Sequence, residues 1–282
     1  MENVISSDSE YLVSIVMPAH NAGKTIAESI QSVINQSYQN WELFIVDDVS
    51  TDNTNVISRS FAEKDSRIKY IALEKKGGVV GARNRAIQES QGRFIAFLDS
   101  DDLWLPTKLV VQISEMLRHK SALSYTAYWK MTSSGKRSDH FISVPSTTNY
   151  SNLLEGNVIG CLTAILDVNY FGKQYIDEIH MRNDLVYWLK LIKTLGHEDY
   201  SFWLKLTRSL GKKNNPSEVL ILGINEPLAV YRVSPGSLSN NKFRAAYYQW
   251  IVYRDVEKLG ILESYKHFLV YAFRGIFKYM TW

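Results

Sequence analysis

Short apolar runs alternate with segments of helical periodicity over the first third of this chain, and this alternation most limits the folds it can adopt. The apolar runs, typical of buried strands, lie at residues 12–17, 41–46, 68–73 and 93–98. The segments with apolar residues at helical spacing lie at residues 24–35, 53–62 and 80–89. Strand and helix in regular alternation predict a parallel sheet with helices on both faces.

The fourth apolar run leads directly into the acidic sequence Asp99-Ser100-Asp101-Asp102. Ligands of open α/β sheets bind beyond the carboxyl ends of the strands, so we expect this sequence at the mouth of a cleft. Neighbouring carboxylates repel one another, which requires a lysine or arginine, a proton or a divalent metal to share the site. Hard oxygen ligands favour Mg²⁺, Mn²⁺ or Ca²⁺ over zinc. A helix cap by Asp102 or Thr107 would account for only one of the aspartates.

Polar residues also follow the other predicted strands, at the same edge of the sheet. His20 and Asn21 follow the first strand, and Asp47 and Asp48 follow the second. The third predicted helix carries Arg83 early in its length, where an anionic phosphate would also interact with the helix N-terminus. Together these residues predict a site for a metal-bound, phosphate-bearing substrate. For each aspartate alone, a turn or helix-capping role is the alternative.

Composition argues against several other classes of protein. One cysteine among 282 residues provides no internal disulfide and indicates a reducing compartment. The formal net charge of +3 gives no argument for binding nucleic acid. We expect no transmembrane helix, because charged residues interrupt every apolar stretch of about 18 residues, and no signal peptide at the N-terminus.

Four ordered motifs resemble the successive signatures of family 2 glycosyltransferases. They lie at residues 13–21, 45–52, 81–84 and 97–102. The resemblance is dense over residues 12–107 and weaker beyond. It implies the GT-A fold, an α/β architecture with a Rossmann-like, mostly parallel sheet, helices on both faces and a C-terminal helical extension. It also implies a catalytic domain at 1–240, with nucleotide-sugar binding in 12–107 and acceptor binding in 108–240, followed by basic, aromatic helices at 241–282.

The resemblance implies how the first half of the site would hold a nucleotide. His20, which follows Pro18 in the first motif, would pack against the uracil of a UDP-sugar, and Asp48 would hydrogen-bond that ring. Arg83 would lie near the phosphates. The full set implied to bind the nucleotide sugar is Pro18, His20, Asn21, Asp48, Arg83, Asp99 and Ser100.

The acidic sequence corresponds to the D-x-D element of the same family. Asp101 would bind the metal, Mn²⁺ or Mg²⁺, and Asp99 would lie near the ribose. Asp102 would remain as the helix cap or as a group supporting the other two. Arg232, in a strand predicted at 225–233, would contact a phosphate or the acceptor, with a surface salt bridge as the alternative.

A short tandem repeat provides two candidates for the catalytic base that the resemblance implies. Residues 182–196 and 197–211 share Asp, Trp, Leu, Lys, Leu, Leu and Gly at an offset of 15. In the family, the base is the aspartate of an acidic pair that opens an aromatic-Trp-Leu-Lys-Leu helix, which matches both Asp184 and Asp199. We prefer Asp184 because residues 176–178 resemble the segment that precedes the pair, although Asp199 follows a glutamate, the commoner form. N-capping of its own helix is the alternative for either aspartate.

The chain after residue 241 is helical by periodicity, aromatic and basic. Lys266, Arg274 and Lys278 recur at multiples of four, with aromatic and aliphatic residues between them. This composition is typical of an interfacial helix attracted to anionic lipid. Packing of this helix on the catalytic domain is the alternative.

These observations predict a metal-dependent, inverting hexosyltransferase that uses UDP-glucose or UDP-galactose. By resemblance, its acceptor would be a saccharide on a lipid diphosphate, in the synthesis of a bacterial surface polysaccharide such as O antigen, capsule or lipopolysaccharide. Such an enzyme would be cytoplasmic, peripheral at the inner face of the cell membrane, and without a nucleic acid partner. A nucleotidyltransferase and a catalytically silent GT-A-like membrane scaffold are the alternatives.

Overall fold

The computed structural model describes residues 10–179, 182–195, 221–233 and 242–280. Asp199 and the second copy of the repeat lie outside these ranges. The chain groups into two compact units. The first unit comprises Met1–Thr147, Ile159–Ile176 and Ser217–Val233, and the second comprises Thr148–Val158, Asp177–Pro216 and Ser234–Trp282. The boundary at residue 240 between a catalytic domain and C-terminal helices stays a prediction.

Within the described residues, nine strands of the first unit form one mixed sheet. They are β1 (Val13–Ala19), β2 (Trp41–Asp47), β3 (Ile68–Ala72), β4 (Phe94–Phe97), β5 (Leu103–Trp104), β6 (Leu123–Thr132), β7 (Arg137–Ile142), β8 (Ile165–Asp167) and β9 (Ile221–Val233). The order across the sheet is β3-β2-β1-β4-β8-β6-β9-β5, and β7 pairs with β6. Strands β1 to β4 are parallel, as predicted. The later strands add antiparallel pairs, such as β4 with β8 and β5 with β9.

The helices that the structure describes are distributed over both units. They are α1 (Ile26–Ile34), α2 (Thr54–Ala62), α3 (Gly78–Glu89), α4 (Lys108–His119), α5 (Tyr150–Leu154), α6 (Val168–Phe171), α7 (Asn183–Thr194), α8 (Lys242–Ile251) and α9 (Ile261–Met280). A 3₁₀ turn spans Cys161–Thr163, and a π-helical turn at Val252–Val256 follows α8. Helices α5, α7, α8 and α9 belong to the second unit and the others to the first.

Both faces of the sheet are covered by packed apolar side chains. Val13 and Ile15 belong to one apolar cluster together with Ile26 of α1 and Leu109 of α4. Val16 is also fully buried, and α3 packs against β1 and β2. Because successive strand residues point to opposite faces, neighbours such as Ile15 and Val16 can both be buried only if each face is covered. This arrangement confirms the predicted α/β class. With both faces of the sheet covered, the ends of the strands are where a ligand could reach the sheet.

Ion pairs and hydrogen bonds join the helices of the second unit. Arg182, just before α7, donates from Nη2 to the Tyr271 hydroxyl of α9 at 2.7 Å and to the Ala245 carbonyl of α8 at 3.1 Å. Glu155, just after α5, pairs with Arg274 of α9 at 2.7 Å. The helix that carries Asp184 is therefore held together with the C-terminal helices.

Candidate functional site

A pocket opens where β1, β2 and β4 end. Its walls are Pro18, Ala19, His20, Asp48, Val79, Ala82, Asp99, Ser100 and Asp101. The three strand ends are aligned because Asp48 N donates to Ala19 O at 2.8 Å and Leu98 N donates to Val16 O at 3.0 Å. The pocket volume is about 210 Å³, below the roughly 300 to 1,000 Å³ of sites that enclose a drug-sized ligand. It therefore suits only part of a ligand of that size, with the remainder lying outside.

Most of the predicted nucleotide-sugar residues line this pocket. Those present in its walls are Pro18, His20, Asp48, Asp99 and Ser100, together with the predicted metal ligand Asp101. Among the residues that the structure describes, the walls leave out Asn21 and Arg83. Asn21 instead joins two loops, because its Oδ1 accepts from Thr51 N at 2.8 Å and its own N donates to Ser50 Oγ at 3.0 Å. Asn21 therefore links the loop after β1 to the loop after β2.

His20 is fixed against the loop that follows β2. Its Nδ1 lies 2.7 Å from the Asp48 carbonyl oxygen, and its Nε2 lies 3.1 Å from Lys76 Nζ. A lysine ammonium can only donate, so Nε2 accepts and Nδ1 carries the proton that it donates to Asp48 O. The Asp48 carboxylate is itself held, since its Oδ1 accepts from Gly77 N at 2.6 Å. The ring and the carboxylate thus form one rigid wall of the pocket.

The neighbouring aspartates Asp47 and Asp48 have different surroundings. Asp47 is buried and accepts from the Tyr70 hydroxyl at 2.8 Å and from Ser50 N at 2.9 Å. Burial, together with the hydrogen bond to Asp47, raises the pKa of Tyr70 to about 12. Val49 then adopts a φ of 56°, a left-handed conformation that a β-branched residue rarely adopts. Asp47 secures this strained turn, whereas Asp48 lines the pocket.

Arg83 reaches the acidic sequence from α3. Its Nη2 donates to Asp99 Oδ1 at 2.6 Å, and only 7% of its side chain is exposed. From the sequence we expected a positive group or a proton to share the site with the carboxylates, and the Arg83 guanidinium is such a group. Arg83 therefore neutralises one of the three carboxylates from behind the pocket wall.

Asp102 is the innermost carboxylate of the acidic sequence. Its Oδ1 accepts from the backbone N of Arg232 at 2.8 Å. Burial raises the pKa of Asp102 well above its usual value, and the charges of Asp99 and Asp101 raise it further. The N-cap position of α4 belongs to Thr107. Of the two roles left open for Asp102, the structure favours support of the acidic turn over capping of α4.

The carboxylates of the pocket fit a hard divalent cation. Asp99 and Asp101 both line the wall and offer only oxygen ligands. Over the ranges that the structure describes, no three His, Cys, Asp or Glu side chains come together as a metal-binding group. Such a site matches Mg²⁺ or Mn²⁺, which commonly take one or two carboxylates and complete their shell with substrate phosphates and water. A cation here would need part of its coordination from groups outside these side chains, such as ligand oxygens or water.

Asp184 lies in the first turn of α7, in the second unit. Its Oδ2 accepts from Asn157 Nδ2 at 2.9 Å, and its side chain is half-buried. The N-cap of α7 is Arg182, with a φ of 64°, so Asp184 is inside the helix and does not cap it. Its role as a base stays a prediction, and Asp199 lies outside the described residues.

Asn84 has a contact that the sequence did not predict. Its Nδ2 donates to the Ile176 carbonyl at 2.9 Å, and its Oδ1 accepts from Ile176 N at 2.8 Å. Asn84 belongs to the third motif, which marked it as a residue of interest in the sequence. Its partner Ile176 is 92 residues away in the chain, so no local pattern predicts the contact. The motif at 81–84 therefore lines the pocket with Ala82, neutralises Asp99 with Arg83 and anchors Ile176 with Asn84.

One face of α9 is exposed and apolar. Leu262, Tyr265, Leu269 and Phe273 are 83%, 54%, 65% and 62% exposed. These four residues, which we call the apolar stripe, follow one another at intervals of three or four and so share a face. The opposite face contains the buried Ser264 and His267. Part of the helix therefore packs within the second unit, and its packing on the catalytic domain stays a prediction.

Arg274, one of the three cations predicted to face lipid, is already paired with Glu155 in the second unit. Lys266 is exposed beside the apolar stripe. None of the helices in the described part of the chain is long and apolar enough to cross a membrane.

Comparison with known proteins identifies sequence relatives over nearly the whole chain. Residues 14–166 match the family model described as Glycosyl transferase family 2. A Bacillus subtilis (strain 168) protein named as a teichuronic acid biosynthesis glycosyltransferase, TuaG, is 37% identical over 95% of this chain and 97% of its own length. The Escherichia coli protein WfgD, named UDP-Glc:alpha-D-GlcNAc-diphosphoundecaprenol beta-1,3-glucosyltransferase, is 38% identical over 96% of both chains.

Solved structures share the fold at lower sequence identity. The S. aureus TarS 1–349 structure in complex with UDP-GlcNAc aligns with a TM-score of 0.62 at 19% identity, over 92% of this chain and 70% of that one. The mannosyltransferase PcManGT from Pyrobaculum calidifontis, in complex with GDP-Man and Mn²⁺, aligns with a TM-score of 0.61 at 15% identity, over 93% and 69%. The arrangement of strands and helices is thus that of GT-A glycosyltransferases.

Proposed function

The chain belongs to glycosyl transferase family 2, and from that premise we propose that it transfers a hexose from a UDP-sugar to a saccharide carried on a lipid diphosphate. The pocket that brings His20, Asp48, Asp99 and Asp101 to one edge of the sheet carries this proposal. The name of the relative WfgD, with a UDP-Glc donor and a GlcNAc-diphosphoundecaprenol acceptor, supports it. The donor proposed is UDP-glucose or UDP-galactose, and the product is part of a bacterial surface polysaccharide.

The nucleotide would bind along the wall formed by His20 and Asp48. One Asp48 oxygen is engaged by Gly77 N, which leaves the other to accept from the N3–H of a uracil. His20, held at both ring nitrogens, offers a fixed surface for stacking. Because both groups are held before ligand binds, little conformational entropy is lost when the nucleotide enters.

Asp101 is proposed to hold a divalent metal, Mn²⁺ or Mg²⁺, with Asp99 beside it near the ribose. When bound, such an ion neutralises negative charge that grows on the departing diphosphate. Arg83 fixes Asp99 in place and lowers the mutual repulsion of the acidic residues. The positive side chains at the pocket do not fully neutralise its carboxylates. The proposed dependence on a metal ion agrees with this excess of negative charge.

Asp184 is proposed as the general base, with Asp199 as the alternative. A base must accept the proton of the acceptor hydroxyl as that oxygen attacks the anomeric carbon from the face opposite the diphosphate. The configuration at that carbon then inverts. Asn157 donates to one carboxylate oxygen of Asp184 and so leaves the other able to accept the proton. This hydrogen bond gives Asp184 a defined orientation.

A peripheral contact with the cytoplasmic face of the membrane is proposed through the apolar stripe of α9. Its four apolar side chains would enter the headgroup region, and Lys266 beside them would attract anionic lipid. An acceptor on a lipid carrier makes this placement useful, because enzyme and acceptor would then share the membrane surface.

Donor binding and donor cleavage test this proposal. Thermal-shift titrations with a set of UDP-sugars, each with Mn²⁺ and with EDTA, should show stabilisation by UDP-glucose or UDP-galactose in Mn²⁺. Slow Mn²⁺-dependent hydrolysis of the same sugar without acceptor distinguishes an enzyme from a silent scaffold. Stabilisation by nucleoside triphosphates alone, with release of pyrophosphate, would favour a nucleotidyltransferase.

A further inference from the structure

Arg232 of β9 makes three hydrogen bonds around the acidic sequence, all within the first unit. Its backbone N donates to Asp102 Oδ1 at 2.8 Å, and its side-chain Nε donates to the Asp101 carbonyl oxygen at 2.8 Å. Its Nη2 pairs with Glu28 Oε2 of α1 at 2.6 Å. Only 7% of the Arg232 side chain is exposed. A buried guanidinium with two engaged nitrogens is a fixed part of the fold, unlike the surface salt bridge considered from the sequence.

The chain on both sides of Asp101 is restrained by the same region. Thr25 Oγ1 donates to the Ser100 carbonyl at 2.9 Å. Immediately after the acidic sequence, β5 pairs with β9, so that Leu103 lies opposite Val230. The carbonyls of residues 100 and 101 and the carboxylate of residue 102 are therefore each held by a partner outside the turn. Asp99 and Asp101 are the two aspartates of this turn that line the pocket.

The positive charge of the Arg232 guanidinium also stabilises the neighbouring carboxylates. Three adjacent carboxylates oppose one another, and Asp102 is buried among them. A cation placed behind the turn, bonded to the main chain of Asp101, lowers the free energy of holding those charges together. Arg83 does this for Asp99 from one side, and Arg232 does it for Asp101 and Asp102 from the other.

We propose that Arg232 is a positioning residue for Asp101, setting the orientation of its carboxylate and hence the affinity of the pocket for a divalent metal together with UDP. This inference rests on the proposed function, in which Asp101 holds the metal. Side chains that orient metal ligands typically change metal affinity by about 10 to 100-fold when they are removed. Arg232 would therefore act without touching the nucleotide or the metal.

Calorimetric titration of UDP into the protein, with Mn²⁺ and with EDTA, tests the proposal by binding alone. Arg232→Gln should raise the UDP dissociation constant by about tenfold or more in Mn²⁺ and leave it within about twofold in EDTA. Arg232→Lys keeps the charge but loses the planar fork, so its effect should be intermediate. Glu28→Gln should give a smaller shift in the same direction, because 62% of the Glu28 side chain is exposed.

Arg93→Gln is the matched control. The Arg93 side chain pairs with the buried Asp167 at 2.7 Å, but Arg93 precedes β4, at the end of the strand away from the pocket. Its substitution should lower the melting temperature and leave Mn²⁺-dependent UDP binding within about twofold, since it perturbs the fold without touching the acidic turn. If Arg232→Gln fails to fold, Arg232→Lys and Glu28→Gln are judged by the same criterion.

Two results overturn the inference alone. Unchanged UDP binding by the Arg232 variants in Mn²⁺ would mean that Arg232 does not position Asp101. Equal weakening in Mn²⁺ and in EDTA would mean that it contacts the nucleotide directly. If UDP binding by the wild-type protein is itself identical in Mn²⁺ and EDTA, the proposed metal role of Asp101 fails, and the inference fails with it.

Discussion

Arg83 Nη2 donates to Asp99 Oδ1 at 2.6 Å, joining helix α3 to the acidic sequence at the edge of the pocket. The arginine is nearly buried, whereas the aspartate is partly open to the pocket. The pair therefore fixes a carboxylate that lines the pocket by means of a cation outside the pocket walls. The resemblance placed Arg83 near the phosphates, and that role stays a prediction beside its observed pairing with Asp99.

Replacing Arg83 should weaken catalysis through Asp99. In Arg83→Gln, the charge-assisted hydrogen bond is lost, a change worth about 1.5 to 3 kcal/mol, so kcat/KM for the UDP-sugar should fall by roughly 10 to 100-fold. Arg85→Gln is the control, because Arg85 lies in the same helix but forms an exposed pair with Glu89. Steady-state kinetics of both variants measure the effect. Equal losses in the two variants would contradict the assignment.

The two candidate bases can be separated by paired substitutions. Asp184→Asn should lower kcat by about 10² to 10⁴-fold, the contribution of a general base, with little change in UDP affinity. Asp199→Asn should change kcat by no more than a few-fold. The reverse pattern would assign the base to Asp199, and small, equal effects would exclude both.

Asn157 provides a finer test of the same assignment. It donates to Asp184 Oδ2, so Asn157→Ala should lower kcat less than Asp184→Asn does, by roughly tenfold, with the loss of one hydrogen bond to a charged group. The same substitution should have no further effect in an Asp184→Asn background. Additive losses in the double variant would show that Asn157 acts elsewhere.

The apolar stripe of α9 should determine binding to lipid. Replacing Leu262, Leu269 and Phe273 by Gln removes three exposed apolar side chains, each worth up to about 1.5 to 3 kcal/mol when buried. Sedimentation with anionic vesicles should therefore fall by more than about tenfold, while UDP binding stays unchanged. Val56→Gln, at a similarly exposed position in α2, is the control. Unchanged sedimentation of the triple variant would rule out the stripe as the membrane contact.

Lys108 should make stability dependent on pH. It is fully buried, lies 4.8 Å from the centre of the Trp104 ring and donates to Gln112 Oε1 and the Thr163 carbonyl. Burial holds the pKa of Lys108 well below its usual value. Between the lowered pKa of the folded protein and the unfolded lysine pKa near about 10.4, the unfolded chain binds a proton that the folded chain lacks, so the unfolding free energy rises with pH across that window.

Lys108→Met removes that contribution. Over the window below the unfolded lysine pKa, the wild-type unfolding free energy should rise with pH more steeply than that of the variant, by up to about 1.4 kcal/mol per pH unit. Urea unfolding at several pH values measures the slopes, with Lys64→Met as an exposed control. Parallel slopes for wild type and Lys108→Met would show that Lys108 stays charged when folded.

Local patterns were sufficient to predict the parallel strands β1 to β4 and the pocket at their ends. Strands β1, β2 and β4 each contain a buried run of four or more residues, and the pocket residues His20, Asp48 and Asp99 follow these runs closely. Strands β5 and β8 have only two and three residues, which is too short for periodicity to detect. The antiparallel pairs that these two short strands form, β4 with β8 and β5 with β9, were therefore less predictable than the parallel strands β1 to β4.

Contacts between distant parts of the chain explain what the sequence left open. Asp47 and Asp48 are adjacent and chemically identical, and the structural one is distinguished in part by the Tyr70 hydroxyl, 23 residues away. Arg232 and Asp101 are 131 residues apart, so no local pattern could connect them. The two near copies around Asp184 and Asp199 have matching neighbours, and this is why spacing alone could not choose between them.

Product analysis tests the central claim most directly. Wild-type protein, UDP-glucose or UDP-galactose, Mn²⁺ and a synthetic GlcNAc-diphosphate-lipid should yield a disaccharide lipid whose new anomeric centre is inverted, β from an α-linked donor, as read by the anomeric proton coupling in NMR. Asp101→Asn should abolish this product while the protein stays folded. A retained α linkage, or an undiminished product from Asp101→Asn in the absence of metal, would contradict the account.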